Sequence, residues 1–346
     1  MNDQLVTEIK RRAMATEFAV VLPGEDYAAI EKAVDALDRL SYLESLMTIY
    51  QPNSDISQIN RRAGESPAKV SPEIVAVLRR AQAISALTDR AFDVTAGPLI
   101  ECWGFNKRRG RKPTEDEIEL ARSLVDNQRL ILDEERHTAE LKTAGMRLNL
   151  GGIGKGFAID RIADELTRQG IEDFLIHGGR SSILARGSDR PDRQFGWTIA
   201  IEHPMRPGIR LGQITLRDRA LATSGSGKQF FHYRGKRQGH VIDPRTGRPA
   251  GDYLSLTVVT PTATDADALS TACFVTPIAR LRETIATDSP PTADRDQPTW
   301  PEAIFLVVAG QRQGEVNVER IGEPSTVDWH PVDTKKKDTL PREDLA

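Results

Sequence analysis

The sequence predicts a mixed α+β fold built as one compact unit. Three observations carry this reading. Helical periodicity is strong over residues 26–48, 71–88 and 156–169, and short β-rich runs fill the intervals and much of the second half. Obvious linkers and internal repeats are lacking, which favours a single domain over 13–332 rather than two separable ones.

Residues 1–12 are polar and are expected to be flexible, with a helix or strand extension as the alternative. Residues 16–22 read as a strand, rich in β-formers and closed by Pro23-Gly24. From 26 to 48, Ile30, Val34, Leu37, Leu40, Leu43 and Leu46 recur at threes and fours, the spacing of one helix face. After a turn at Tyr50 comes a short helix capped by Ser54 or Asp55. Ser71-Pro72-Glu73 opens the next helix, with serine at the cap and proline at the first helical position. Residues 91–105 are aromatic and turn-rich, which suits a lining loop followed by a short helix. The basic run 108–112 suits a solvated loop, and Pro113-Thr114-Glu115 opens a helix reaching about Leu124. Residues 130–132, 138–142 and 147–150 read as strands that lead into a glycine-rich stretch. The amphipathic helix 156–169 leaves that stretch and ends at Gly170. Strands are expected at 173–176, 183–186, 197–201, 213–216 and 220–223. Residues 240–247 form a strand ending in a proline turn, 254–260 a strand, 266–274 an apolar helix and 303–309 a buried final strand. Residues 285–300 are loop-like, and the charged tail 333–346 is expected to be disordered.

A net charge of −3 gives no basic field, so no nucleic-acid partner is expected. No stretch approaches a transmembrane span. The N-terminus carries neither the apolar run of a signal peptide nor a nearby cysteine for lipid attachment. The chain as written is therefore expected in the cytoplasm, and in the periplasm if a leader was removed. Cys102 and Cys273 lie far apart without metal-site spacing and are read as reduced thiols.

Four places could carry chemistry. The stretch Leu150-Gly151-Gly152-Ile153-Gly154-Lys155-Gly156-Phe157 has strand, exposed backbone and helix start in the order of a phosphate cradle. It fits neither the Walker A pattern, because glycine follows Lys155, nor the Rossmann fingerprint; an ordinary glycine turn is the alternative. The run Thr223-Ser224-Gly225-Ser226-Gly227-Lys228 also fails as a P-loop, since Ala222 and Gln229 stand at required positions, and a serine/glycine turn that contacts phosphate stays open there. Asp267 and Thr271, four apart on one helix face, offer hard oxygen ligands suited to Mg²⁺; simple capping by Asp265 or Asp267 is the competing role. His240, near Asp243, has the make-up of a general base, or of a structural histidine.

Taken in order, these segments resemble the ApbE family of flavin transferases. The pieces are Met14-Ala15-Thr16; Tyr50 with Ser54-Asp55-Ile56-Ser57 and Asn60; Ala91-Phe92-Asp93-Val94-Thr95 with Gly97-Pro98-Leu99 and Trp103-Gly104-Phe105; the glycine stretch; Ala222-Thr223-Ser224-Gly225; His240-Val241-Ile242-Asp243-Pro244 with Thr246-Gly247; and Ala266-Asp267-Ala268-Leu269-Ser270-Thr271-Ala272. The resemblance implies a T-fold-type architecture with largely antiparallel sheets flanked by helices and an FAD cleft between sub-regions. It implies Mg²⁺-dependent transfer of FMN from FAD to a threonine or serine hydroxyl of an acceptor flavoprotein, releasing AMP. Gly154, Asp267 and Thr271 would hold the metal. Met14, Tyr50, Ala91, Phe92, Asp93, Gly151, Phe157 and Val241 would line the FAD site, and His240 would be the base, positioned by Asp243.

Two alternatives remain open at this level: an FAD pyrophosphatase giving FMN and AMP, and a non-catalytic FAD-binding protein. Three positions depart from the family pattern. Ala15 replaces glycine, Asn149 replaces aspartate before Leu150-Gly151-Gly152, and Arg180 replaces asparagine after Gly178-Gly179.

Overall fold

A computed structural model describes residues 5–107, 110–190, 196–206, 208–225, 230–233, 236–250, 253–287, 297–310, 315–322 and 327–332. The expected tail 333–346 and Ser226-Gly227 of the serine-glycine turn lie outside the described residues.

The centre is an eight-stranded sheet made of β1 (Val6–Ala13), β2 (Thr16–Pro23), β6 (Phe174–Gly178), β7 (Ser182–Arg186), β10 (Arg219–Gly225), β15 (Ser255–Thr260), β16 (Ala303–Ala309) and β17 (Val316–Ile321), in that spatial order. All pairings in it are antiparallel. All six residues of β15 are buried. Leu256 and Val258 face the main core, while Val259 faces the opposite layer, so β15 is covered on both sides.

One face carries α1 (Tyr27–Met47), α6 (Gly154–Arg168) and α7 (Ala263–Phe274), whose apolar residues form the main core with the sheet. Over them close α2 (Asp55–Arg61), α3 (Pro72–Leu87) and a small sheet of β3 (Ala68–Lys69), β4 (Leu130–Asp133) and β5 (Thr138–Leu141). Helix α7 is buried at eleven of its twelve positions. It lies between sheet and helices, so its polar residues are buried along with its apolar ones. The other sheet face is covered by β8 (Trp197–Glu202), β9 (Arg210–Leu216) and β18 (Val327–Pro331), with Trp329 tilted on Phe305 at 5.1 Å. A satellite cluster joins α4 (Gly97–Cys102) and α5 (Glu115–Ser123) to the hairpin of β13 (Ile242–Asp243) and β14 (Arg248–Pro249). The hairpin β11 (Phe230–Tyr233) and β12 (Lys236–Gly239) sits beside it, with Phe231 against Trp103. Helix α8 (Ile278–Thr287) follows α7.

Several expectations need correction. Residues 6–12 are not frayed: β1 pairs along its whole length with β2. Residues 147–150 are not a strand. The Asn60 side chain takes both the Leu148 N–H (2.6 Å) and the Leu148 carbonyl (3.1 Å), and Asn149 N–H donates to Val94, so the backbone is satisfied without a ladder. Residues 303–309 are not the final strand, because β17 and β18 follow. Helix α8 occupies residues expected to begin a loop, and the strand expected over 240–247 shrinks to two residues. Both cysteines are free, as read.

Candidate active site

Helices α6 and α7 are joined at their first turns by contacts that only their particular residues allow. A Cβ on Gly156 would stand 2.0 Å from the Ala263 carbonyl oxygen, so the two backbones touch there. One turn along α6, the buried Asp160 carboxylate accepts the N–H groups of Ala263 (2.9 Å) and Thr264 (2.8 Å) and the Thr264 hydroxyl. Burial pushes this carboxyl up to about 6 against those hydrogen bonds. Thr262 is the N-cap of α7, and Asp265 forms a two-pronged ion pair with Arg80 of α3. Capping of α7 is therefore done by Thr262 and Asp160, not by Asp265 or Asp267.

Asp267 faces the glycine stretch. Its Oδ1 accepts from Lys155 Nζ at 2.8 Å and from Ser182 Oγ at 3.0 Å, and its Oδ2 from Gly156 N–H at 3.1 Å. Thr271 lies one turn on; its Oγ1 is 3.1 Å from the point where a Gly152 Cβ would be, and the Phe92 ring is 3.3 Å from that point. Gly154 sits between these two contacts in sequence, so all three expected metal positions belong to one locality. The donors are hard oxygens, and a cation, the Lys155 ammonium, already stands on the carboxylate. These residues fit Mg²⁺, which takes few protein ligands. Among the described residues no group of three or more His, Cys, Asp or Glu could hold a metal by itself.

The expected flavin residues lie in several separate parts of the fold. Ala91, Phe92 and Asp93 are buried in the loop before α4. The Asp93 carboxylate holds that loop, accepting from Thr95 N–H and Oγ1 and from Asn127 N–H, while burial pushes its pKa up. Phe157 packs into the main core with the Arg161 guanidinium 5.1 Å from its ring, and Met14 packs against the same core. Val241 is buried, Gly151 exposed. Tyr50 is 75% exposed and donates its hydroxyl to the Asn106 carbonyl. It lines a cleft of about 610 Å³ whose other walls include Asn60, Glu101, Arg147 and Asn149. Asp267 and Thr271 are not part of that lining.

His240 is half-buried, its ring edge-on to Phe105 at 6.4 Å. Asp243 turns both oxygens to Arg245, accepting from Nε and Nη2 at 2.9 Å each and from the Arg245 N–H. Arg245 Nη2 also donates to the Val275 carbonyl at the end of α7 (3.2 Å), and Trp103 Nε1 donates to the Gly247 carbonyl (2.8 Å). Asp243 thus ties the His240 segment to the helix bearing Asp267, through Arg245.

Residues 14–293 match the family model described as the ApbE family. The chain belongs to the ApbE family. It is 31% identical over 277 residues to an FAD:protein FMN transferase of Klebsiella pneumoniae, covering 79% of this chain and 84% of that one. It is 33% identical over 258 residues to one of Vibrio cholerae, covering 73% and 75%. The ApbE protein of Thermotoga maritima superposes with a TM-score of 0.78 at 26% identity, covering 92% of this chain and 97% of that one. The Pseudomonas stutzeri flavinyl transferase ApbE, apo form, gives 0.76 at 26%, covering 92% and 95%.

Against the ApbE pattern, the three departures acquire physical meaning. Ala15 has φ 59° and Arg180 φ 57°, the left-handed region that glycine and asparagine tolerate better. Asn149 accepts the Gly151 N–H (2.8 Å), the bond an aspartate would accept, so the turn is kept and only the charge is lost. Sequence reasoning missed Ser182, Asp160 and Arg245. Asp160 had a visible signal: it is a carboxylate four residues after Gly156 and three before Ala163, on one face of the amphipathic helix.

Proposed function

We propose that this protein transfers FMN from FAD to a threonine or serine hydroxyl of an acceptor flavoprotein. The acceptor oxygen attacks the FMN phosphorus, the phosphoanhydride bond to the adenylate breaks, and AMP leaves carrying the displaced oxygen. His240 takes the proton from the attacking hydroxyl. A hydroxyl is a weak nucleophile near neutral pH, and a positioned base contributes about 10²–10⁴-fold. Mg²⁺ held by Asp267, Thr271 and the Gly154 carbonyl would offset the diphosphate charge. Ser182 and Gly156 N–H fix the Asp267 carboxylate, and the Asp160 cap fixes the helix that carries it.

The observation that carries this reading is the gathering of Asp267, Thr271 and the glycine stretch within a family member. The test is incubation with FAD, Mg²⁺ and a candidate acceptor. Covalent fluorescent flavin on the acceptor, lost in Asp267→Ala, is expected. Free FMN and AMP without labelled acceptor would mean water is the acceptor, and FAD binding without turnover would mean a binding protein.

A further inference from the structure

The Lys155–Asp267 ion pair is oddly placed for a purely structural contact. The Asp267 side chain is 7% exposed, yet the lysine side chain that meets it is 24% exposed, a flexible stem in the first turn of α6. Asp267 does not need Lys155 for its orientation. Ser182 Oγ and Gly156 N–H each hold one of its oxygens, both from elements of the core. Lys155 is therefore the exchangeable partner of a carboxylate that is otherwise pinned.

We propose that Lys155 is a counter-ion gate: it occupies Asp267 before metal binds, gives way to the divalent cation, and is then free to pair with the substrate diphosphate. The proposal rests on the metal site of the proposed function. Oδ1 has both lone pairs engaged, by Lys155 and Ser182, and Oδ2 has one engaged by Gly156. A dication bound through either oxygen lies within a carboxylate's width of the ammonium, and in a poorly solvated site that repulsion far exceeds thermal energy. The ammonium must swing out, and its exposed flank gives it the path. Metal affinity is thereby lowered when substrate is absent and restored when a diphosphate offers the displaced ammonium a new partner. Metal and FAD consequently bind with positive coupling through one side chain.

The test is Mn²⁺ binding followed by electron paramagnetic resonance, with and without FAD, in the full chain. Without FAD, Lys155→Met is expected to bind Mn²⁺ about tenfold tighter than the wild type, the scale of one lost charged hydrogen bond. The tightening of FAD by Mn²⁺ should shrink in the same variant. Lys155→Arg, which keeps the charge and grips a carboxylate with two donors, should bind Mn²⁺ more weakly than wild type. It supplies the test should Lys155→Met fail to fold. Unchanged Mn²⁺ affinity in the variants, with binding still abolished by Asp267→Ala, overturns the gate and leaves the metal site standing. Wild-type protein that binds no Mn²⁺ in an Asp267-dependent way overturns both.

Discussion

Asp160 and Thr264 lie 104 residues apart, and the carboxylate of the first accepts both the backbone N–H and the hydroxyl of the second. Together with the Ala263 N–H bond, this makes the start of α7 an extension of α6. The glycine stretch and the Asp267 helix are thereby one rigid unit. Asp160→Ala leaves two buried N–H donors without partners, at a cost of roughly 2–4 kcal/mol. Urea unfolding should report that loss, and an unchanged midpoint would mean that water can reach the helix start.

The same carboxyl makes a signed pH prediction. Its pKa is 3.8 in the unfolded reference and about 6 when folded, so between these values the folded chain holds more protons than the unfolded one. Stability contributed by Asp160 is then greatest in acid and declines as pH rises from about 4 to about 6. Asp160→Asn removes the titration. The stability difference, wild type minus Asp160→Asn, should fall across that window by on the order of 2–3 kcal/mol. A flat difference would show that the carboxyl titrates at an ordinary pKa.

Gly156 and Gly154 should part company on substitution. Alanine at 156 drives a methyl into the Ala263 carbonyl, a backbone atom that cannot move without separating α6 from α7. The expected loss is roughly 3 kcal/mol or more. At 154 the nearest atoms are 3.6 and 3.7 Å away, ordinary contacts, so alanine there should gain about 0.5–1 kcal/mol from helix propensity. Paired thermal melts check the contrast, and similar effects at both sites would remove the close-approach argument.

Much of this unit was legible in the sequence because its signals are local. Ser54, Ser71 and Thr114 cap the helices they announce, and the apolar periodicity of α6 and of the second half of α1 (Leu37, Leu40, Leu43) falls on buried residues, although Val34 of the same series is exposed. What could not be read depended on distant partners. Strand β1 is polar because it is an edge, and its pairing with β2 is what orders it. β17 likewise carries Asn317, Glu319 and Arg320 at the sheet's other edge. Residues 147–150 have strand composition, yet the amide of Asn60 and the carbonyl of Val94 took the backbone first. Asp267 and Thr271 stand out in the sequence only as a carboxylate and a hydroxyl four apart on one helix face. The partners of Asp267, Lys155 and Ser182, 112 and 85 positions away, were fixed only by the packing of α6 and β7.

Two departures from the family pattern should be correctable. Met14 and Ala15 both have positive φ in the two-residue connection between β1 and β2, and Gly179 and Arg180 do so in the three-residue connection between β6 and β7. Such positions suit glycine and asparagine. Ala15→Gly and Arg180→Asn should each stabilise the chain by about 1 kcal/mol. The sites are separate turns, so the double variant should add the two gains. Chemical denaturation measures this, and a loss at either site would mean its side chain makes a contact worth more than the strain.

Asp243 and Arg245 should behave as one device. The carboxylate gives both oxygens to the guanidinium, and the guanidinium alone reaches the Val275 carbonyl that ends α7. If Asp243 works only by holding Arg245 to that helix, Asp243→Ala, Arg245→Ala and the double variant should lower transfer by similar factors. FAD binding should be largely kept, and the coupling energy in the cycle should approach the full single-variant effect. His240→Ala should also keep FAD binding while losing about 10²–10⁴-fold in transfer rate. The informative contrast is Arg245→Ala. If it is mild while Asp243→Ala is severe, Asp243 acts on His240 directly and the tether to α7 is incidental. If the two are equal, the placement of the His240 segment against α7 is set by Arg245 between them.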